Sequence, residues 1–543
     1  MTYSDYLKAS NTDGMPEYRI AVLRNFTIEP LLPVIQAEVE KMGVKAVFYV
    51  GGYDTIGIDI RGDSLYEFDP QCILILQWGD RSIIPSVDAL KAIRERTSAP
   101  IIVNNLPMFP YPVMGIYDIH GDFESRNTLN GNDTIRYNAL QFSSVYVLDL
   151  MRLFGRIGWD GATDYRHWAS EKMPFTPSAL SLVGSECAKF IRALTGRTKK
   201  CLVLDCDNTL WKGVVGEDGV SGIAPYQEFQ RVLLALKDKG VLLSLCSKNN
   251  EEDVWAALDH SDSLLKKEDF VAWRINWADK ASNISRISAE LNIGIDSLIF
   301  VDDSQFECDF IQKNHPEVSV MRFDVDQYTF SNRLLDSGLF DSLFVSDEDN
   351  HKTEMYQFDS QRRQLRESSG TLEDYLRGLE IGVEIFRATE SILPRLAQLS
   401  QKTNQFNLDT YRYTEEELRV LSNSGVASEV YAIRVKDKIS DLGIVGMAVA
   451  WKHDDYYLIR SFMLSCRALG RGIEVALLAH LINRARTLGY TRVHGKYVVS
   501  PKNSQVSTFY ASHGFSDLGN GTWEWKEPEP IVSPDWIQVI TRD

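Results

Sequence analysis

From Tyr18 to about Thr195 short apolar runs alternate with longer amphipathic stretches: RIAVLRN, PLLPVIQAEVEKMG, KAVFYV, CILILQW, SVDALKAIRERT and PIIVNN follow one another. Apolar runs this short and continuous predict strands buried on both faces. The stretches between them, with apolar residues three or four apart, predict the helices that cross back over a parallel sheet. AKFIRALTGRTKK reads as a helix closing at Gly196 into a basic link, and new strands begin at Cys201. After Phe344 a strongly charged stretch poor in large apolar residues predicts a connector with an exposed helix. The expected organisation is therefore an α/β chain of three domains, 1–197, 198–345 and 372–543, with a connector at 346–371. No internal repeat is visible, and a Trp- and Pro-rich tail, GTWEWKEPEPIVSPDW, is expected to pack on the body.

In the middle region three apolar runs each end in a polar cluster: CLVLDCDNT, VLLSLCSKNN and SLIFVDDS. Ligands of open parallel sheets bind beyond the carboxyl ends of the strands, so Asp205, Asp207, Ser247, Asp302 and Asp303 are expected to converge, with Lys280 reaching the same crevice. These residue types suit phosphoryl transfer. A carboxylate attacking a phosphate dianion needs its charge neutralised by a divalent cation and a lysine, and a hard-oxygen cluster suits Mg2+. Asp205 would attack phosphorus, and Asp207 would protonate the leaving oxygen and then activate water. Ser247 and Lys280 would hold the phosphoryl oxygens, and Asp205, Asp207, Asp302 and Asp303 are the candidate metal ligands. Each piece also has a bland reading, as a helix cap or a solvated acidic pair. All four in this order resemble the motifs of the haloacid dehalogenase phosphatase superfamily. The short intervals between them leave no room for a cap domain.

Toward the carboxyl end, DDYYLIRSFMLSCRALGRGIEVALLAHLINRARTLGY predicts a strand ending near Cys466, a tight loop and an amphipathic helix from about Ile473. Arg467, Gly470 and Gly472 fit R-x-x-G-x-G, in which small residues at a helix start receive a pyrophosphate. With FYASHGF at 509–515 the stretch resembles the acetyl-CoA-binding core of the GNAT acyltransferase fold. The resemblance makes Arg467, Gly470, Arg471, Gly472 and Asn503 candidates for holding phosphates and a pantetheine arm. It also sets the thioester beside the end of the strand, next to Cys466. Arg467 and a helix amino terminus would favour its thiolate; the competing reading is a buried, inert cysteine. His494, Asn503 and Tyr510 are candidates for proton transfer, Tyr510 equally for a core aromatic. Arg460, Arg467, Arg471, Arg484, Arg486, Arg492, Lys496 and Lys502 make the stretch basic, as a docking face for an acidic carrier protein or a solvated helix face.

Bulk properties narrow the classes. A length of 543 residues calls for roughly three or four domains. A net charge of −17 disfavours nucleic acid and anionic membrane surfaces as partners. The opening MTYSDYLKAS lacks a secretory pattern and no apolar run approaches the ~20 residues of a membrane span, so a cytoplasmic protein is expected. Seven cysteines without CxxC spacing exclude a disulfide framework and a zinc site.

Over nearly its whole length the chain resembles the FkbH-like proteins of polyketide biosynthesis. LDCDNTLWKGVVGEDG, CSKNNEEDV, WRINWADKASN, TNQFN at Thr403–Asn407 and SCRALGRGIE carry the likeness. It implies a glyceryl transferase and phosphatase that removes phosphates from 1,3-bisphosphoglycerate and delivers a glyceryl thioester to the phosphopantetheine of an acyl carrier protein. An SGNH-like domain, an uncapped haloacid dehalogenase-like domain and a GNAT-like domain are implied in that order. Two positions depart from the family pattern: Cys206 stands where leucine is usual, and KDKIS precedes Asp441 in place of a more glycine-rich loop. Near the amino end GDSL at Gly62–Leu65, with Asp164 and His167, is similar to SGNH esterase motifs. The esterase serine belongs directly after the first strand, where this chain has Arg24, Asn25, Phe26 and Thr27, so a degenerate copy is expected. The alternatives are a small-molecule phosphatase whose flanking domains only bind, and a docking scaffold with vestigial sites.

Overall fold

The computed structural model describes residues 3–7, 12–79, 86–324, 326–500, 502–526 and 529–542. The opening segment read as lacking a secretory signal lies partly outside the described residues, as do positions 527 and 528 of the tail. The chain has mixed α/β structure in two compact units, Met1–Arg197 with Tyr413–Val420, and Thr198–Arg412 with Leu421–Asp543. Among the described residues no helix is long and apolar enough to cross a membrane.

In the first unit the apolar runs form β1 (Glu17–Arg24), β2 (Lys45–Tyr53), β3 (Cys72–Leu76), β4 (Ile101–Asn104) and β5 (Val145–Leu148), all parallel in the order β2-β1-β3-β4-β5. The crevice of such a sheet opens where β2 and β3 leave β1 in opposite directions. Asn25 stands there, donating to the carbonyl of Trp78 at 3.0 Å and accepting from its amide at 2.8 Å. GDSL is remote from that crevice: Gly62 ends one short helix and Ser64 starts another that leads into the amino end of β3. Asp164 caps the helix Tyr165–Glu171, whose end meets the chain just beyond β1, where the amide of Thr27 donates to Lys172. The GDSL serine and the D-x-x-H pair therefore belong to opposite ends of the sheet.

The second unit holds two sheets. The first is parallel throughout: β6 (Cys201–Leu204), β7 (Leu242–Ser247), β8 (Ala272–Ile275), β9 (Leu298–Asp302) and β10 (Ser319–Arg322) stand in the order β8-β7-β6-β9-β10. Every residue of β6, β7 and β9 is buried, so helices must cover both faces. Between Asp207 and β7 the chain makes a two-residue hairpin, Trp211–Lys212 against Ala224–Pro225, the one-turn helix Val215–Asp218 and the helix Gln227–Asp238.

The second sheet is mainly antiparallel, with β11 (Ile381–Arg387), β12 (Ser428–Lys436), β13 (Asp441–Lys452), β14 (Tyr457–Leu464), β15 (Val493–Lys496), β16 (Ser516–Gly519), β17 (Thr522–Trp525) and β18 (Ile537–Arg542) in the order β16-β17-β15-β14-β13-β12-β11-β18. The tail thus ends as a strand pairing with β11. At the middle of the sheet β14 and β15 run parallel for only three residue pairs, Tyr457–Val493 to Ile459–Gly495.

The connector is not the exposed segment expected from its composition. Its helix α2 (Lys352–Ser368), which follows α1 (Lys280–Leu291) of the first sheet, buries Thr353, Tyr356 and Arg362. Arg362 clasps Asp437 through two hydrogen bonds of 2.7 and 2.9 Å, with side chains 3% and 0% exposed, and also reaches Asp359. The next residue, Arg363, bonds Glu290 at the end of α1. Charge here is internal glue between the two sheets. Breaking a buried pair by removing one partner typically costs ~3–5 kcal/mol. Arg362→Met should therefore lower the urea midpoint of unfolding and release α2, seen as faster amide exchange in 352–368; an unchanged midpoint and unchanged exchange would show that α2 is held by its apolar contacts alone.

Candidate functional site

Three strand ends of the parallel sheet build one polar crevice. Asp205 follows β6, Ser247 ends β7 and Asp302 ends β9. Lys280 opens α1, whose cap Asp279 accepts from the amide of Ser282 at 2.8 Å. Its ammonium is buried between two carboxylates, donating to Asp205 Oδ1 at 2.7 Å and to Asp302 Oδ2 at 2.6 Å. Oxygens of Asp205, Asp302 and Asp303 lie within 4.8 Å of one another. Three carboxylates around one ammonium leave two negative charges. Burial, then the charge of Asp205, raises Asp302 to about 6 despite Lys280, and raises Asp303 for the same reasons. Burial opposes the charge on Lys280, but Asp205 and Asp302 outweigh it and hold its pKa up. An all-oxygen donor set with two uncompensated charges fits a hard divalent cation.

Asp207 stands apart from this triad. Its Oδ1 accepts from Trp211 Nε1 at 2.9 Å and the amide of Val215 at 3.0 Å, and its Oδ2 from Asn249 Nδ2 at 2.9 Å. Its side-chain oxygens, expected to join the other three carboxylates around a metal, are not part of their cluster; three donors fix the carboxylate's orientation. Asn249 also donates to Ser247 Oγ at 3.2 Å, so it orients both residues. It lies inside the CSKNN string but was not singled out, because an asparagine two residues after a strand reads as an ordinary turn residue.

The GNAT-like region departs further from expectation. Beyond Ile459, where β14 and β15 part, the free edge of β14 is taken by the chain's own Phe406–Asn407, which pairs with Leu464 and Met463. Leu408 donates to Phe462 at 3.1 Å and accepts from Val498 at 2.7 Å. Phe406, Asn407 and Leu408 thereby fill the gap between the two strands. An unpaired strand edge in the interior must find partners, and a tethered segment supplies them without loss of a second molecule's freedom. Asn503 is part of the same plug. Fully buried, it donates to Asn407 and Val498, both at 2.9 Å, and accepts from Ser500 and Tyr497. No hydrogen-bonding position remains for a ligand.

The R-x-x-G-x-G loop is likewise engaged. Arg471 points into ion pairs with Asp359 (3.2 Å) and Asp437 (3.5 Å). A Cβ on Gly472 would lie 2.9 Å from Pro534, and Trp536 donates to the carbonyl of Arg471 at 3.0 Å, so the tail covers this side of the loop. Gly470, by contrast, faces open space. Tyr510 is a core aromatic closing on Gly495. Much of the basic stretch is internally matched, Arg460 by Asp409, Arg484 by Glu429 and Lys502 by Asp296, which removes charge from a docking face.

Cys466 is half-buried, whereas the other six cysteines are buried. It opens the single turn Cys466–Ala468, and the long helix α4 (Ile473–Thr487), which follows α3 (Leu393–Lys402) in the numbering of helices, begins seven residues later. The expected helix terminus is therefore not directly at the thiol. Instead the thiol faces a cavity of about 350 Å3 between the amino ends of the parallel strands, α2, α3 and the end of β14, with the Tyr356 hydroxyl 4.0 Å from Sγ and Arg467 against the sulfur of Met355. Its lining comes from six separate segments, which is why no single string announced it.

Residues 393–515 match the family model described as Acetyltransferase (GNAT) family. The N-terminal part of the protein BF1531 from Bacteroides fragilis, a crystal structure containing a phosphatase domain complexed with Mg, is similar over 63% of this chain and 99% of that one, at 24% identity and a TM-score of 0.57. An acetyltransferase from Salmonella typhimurium that modifies the N-terminal serine of ribosomal protein L7/L12 matches over 27% of this chain and 95% of its own, at 20% identity and a TM-score of 0.22. An N-acetyltransferase from Thermoplasma acidophilum in complex with coenzyme A matches over 27% and 99%, at 16% identity and 0.20. No curated protein matches. The chain thus shares an α/β fold with the Bacteroides protein over most of its length and carries a GNAT-family region at residues 393–515.

Proposed function

We propose that the chain is a bifunctional phosphatase and glyceryl transferase that takes 1,3-bisphosphoglycerate, removes its phosphates and loads a glyceryl group as a thioester on an acyl carrier protein. The observation that carries the phosphatase half is Lys280 held between Asp205 and Asp302 with Asp303 alongside. Asp205, Asp302 and Asp303 would hold Mg2+, as their charge and oxygen donors suit it, and the Bacteroides phosphatase domain is a Mg complex. When bound, the ion would neutralise phosphoryl oxygens as the attacking carboxylate approaches.

In this reading Asp205 attacks phosphorus, forming an aspartyl-phosphate as the bond to the leaving oxygen breaks. Asp207, pinned by Trp211, Val215 and Asn249, gives that oxygen its proton and then takes one from the water that releases phosphate. Ser247 and Lys280 bind phosphoryl oxygens. The acyl phosphate is the substrate of Cys466: its thiolate, after losing the proton to solvent, attacks the carbonyl carbon, the C–S bond forms and inorganic phosphate leaves with the C–O electrons. The carrier's pantetheine thiolate then takes the acyl group and frees the Cys466 thiolate. Because Phe406 and Asn407 fill the strand gap, the arm would reach Cys466 through the cavity. The domain limits 198–345 and 372–543 suit this division, and 1–197 is a degenerate SGNH-like domain in which Asn25 stands in the crevice.

Asp205→Asn cannot form the aspartyl-phosphate and should lose at least about a thousandfold in phosphate-ester hydrolysis, with chelation abolishing and Mg2+ restoring wild-type release; a folded variant at the wild-type rate would refute the nucleophile. Cys466→Ala should fail to add a glyceryl mass to holo carrier protein in intact-protein mass spectrometry, yet keep hydrolysing phosphate esters, since distant sites act independently. Normal loading by that variant would mean direct transfer from the acyl phosphate to the pantetheine thiol, and absence of loading by the wild type would mean a phosphatase without transferase activity.

A further inference from the structure

The cavity beside Cys466 gathers six cations, Lys200, Lys352, Arg395, Lys402, Arg467 and Lys502, in a chain whose net charge is −17. Three are matched: Arg395 with Glu348 at 2.8 Å, Lys402 with Asp349 at 3.1 Å, and Lys502 with Asp296. Lys200, Lys352 and Arg467 make no close ion pair among the described residues, although the charges of Asp296 and Asp349 act on the two lysines; Lys352 donates to the carbonyl of Gly240 at 2.9 Å and Arg467 to the sulfur of Met355. A cation drawn partly out of water without an ion-pair partner is costly, and the two half-buried lysines register it. Burial first, then the charge of Lys402, pushes Lys352 down to about 7, and Lys200 is lowered chiefly by burial. An anion held among these cations would offset the cost.

We infer that the cavity is a phosphate-binding site for a small phosphorylated carboxylic acid derivative, gripped by Lys200, Lys352 and Arg467 with its carbonyl end beside Cys466. The inference rests on the acyl-transfer reading of that cysteine. Three cations without a close ion pair match a phosphate dianion with an adjoining acyl group better than a lone carboxylate. At about 350 Å3 the space lies at the low end of ligand pockets, enough for a three- or four-carbon phosphate and too little for a nucleotide cofactor. The site is also separate from the phosphatase crevice. Lys200 precedes β6 and Asp205 follows it, about 17 Å apart along an extended strand.

The test uses the full chain in chelator and the one half-buried cysteine as reporter. N-ethylmaleimide labelling of Cys466 is followed by peptide mass spectrometry with 3-phosphoglycerate, glycerate or pantetheine 4′-phosphate as probe, and 3-phosphoglycerate binding is measured in parallel by calorimetry. We expect 3-phosphoglycerate to slow labelling strongly and glycerate hardly at all. Lys200→Met and Lys352→Met, each compared with its own unliganded rate, should raise the half-protecting concentration about tenfold or more. Equal protection by glycerate, stronger protection by pantetheine 4′-phosphate, or binding unaffected by both substitutions would overturn the inference. Protection that depends on Lys200, together with normal carrier loading by Cys466→Ala, would sink the cysteine's role and leave the phosphate site standing. Loading that needs Cys466 without such protection would do the reverse.

Discussion

The buried clasp of Arg362 on Asp437 is the constraint from which the second unit takes its form. With Arg363 bonded to Glu290 it fixes α2 simultaneously to the mixed sheet and to the parallel sheet. Because a guanidinium is planar and its donors are fixed in direction, the bidentate contact sets an orientation as well as a distance. The same helix carries Lys352, Met355 and Tyr356 to the wall of the cavity facing Cys466. Loosening α2 would open that cavity before it disturbed the crevice at Asp205, which is built from strand ends and α1 alone.

The two chemical sites use the same parallel sheet from opposite ends. Asp205, Ser247 and Asp302 stand at the carboxyl ends of its strands, where surplus negative charge suits a divalent cation. Lys200 and Asp296, near the amino ends, border the cavity of opposite charge. The two clusters of opposite charge stand about 17 Å apart along the strand direction.

The mixed sheet closes the gap between β14 and β15 with Phe406 and Asn407 and lays the tail over Gly472. Both devices satisfy backbone and apolar surface internally. What remains accessible is the thiol at the end of β14 and the cationic cavity before it.

The sequence by itself determined the buried strands CLVLD, LLSLCS and LIFVD, and with them the convergence of Asp205, Ser247, Asp302 and Lys280, because a parallel sheet must present its strand ends together. The repeat of apolar runs likewise gave the α/β class, and the GNAT-like stretch was legible from its glycine loop and FYASHGF. Tertiary structure alone decided the orientation of Asp207, which depends on Trp211 and Asn249, and the burial of α2, whose charged composition conceals partners 75 residues away. It also decided the filling of the strand gap and the cavity at Cys466. Lys200, Lys352, Lys402 and Arg467 come from separate segments, and periodicity along a chain carries no information on which side chains distant segments bring face to face.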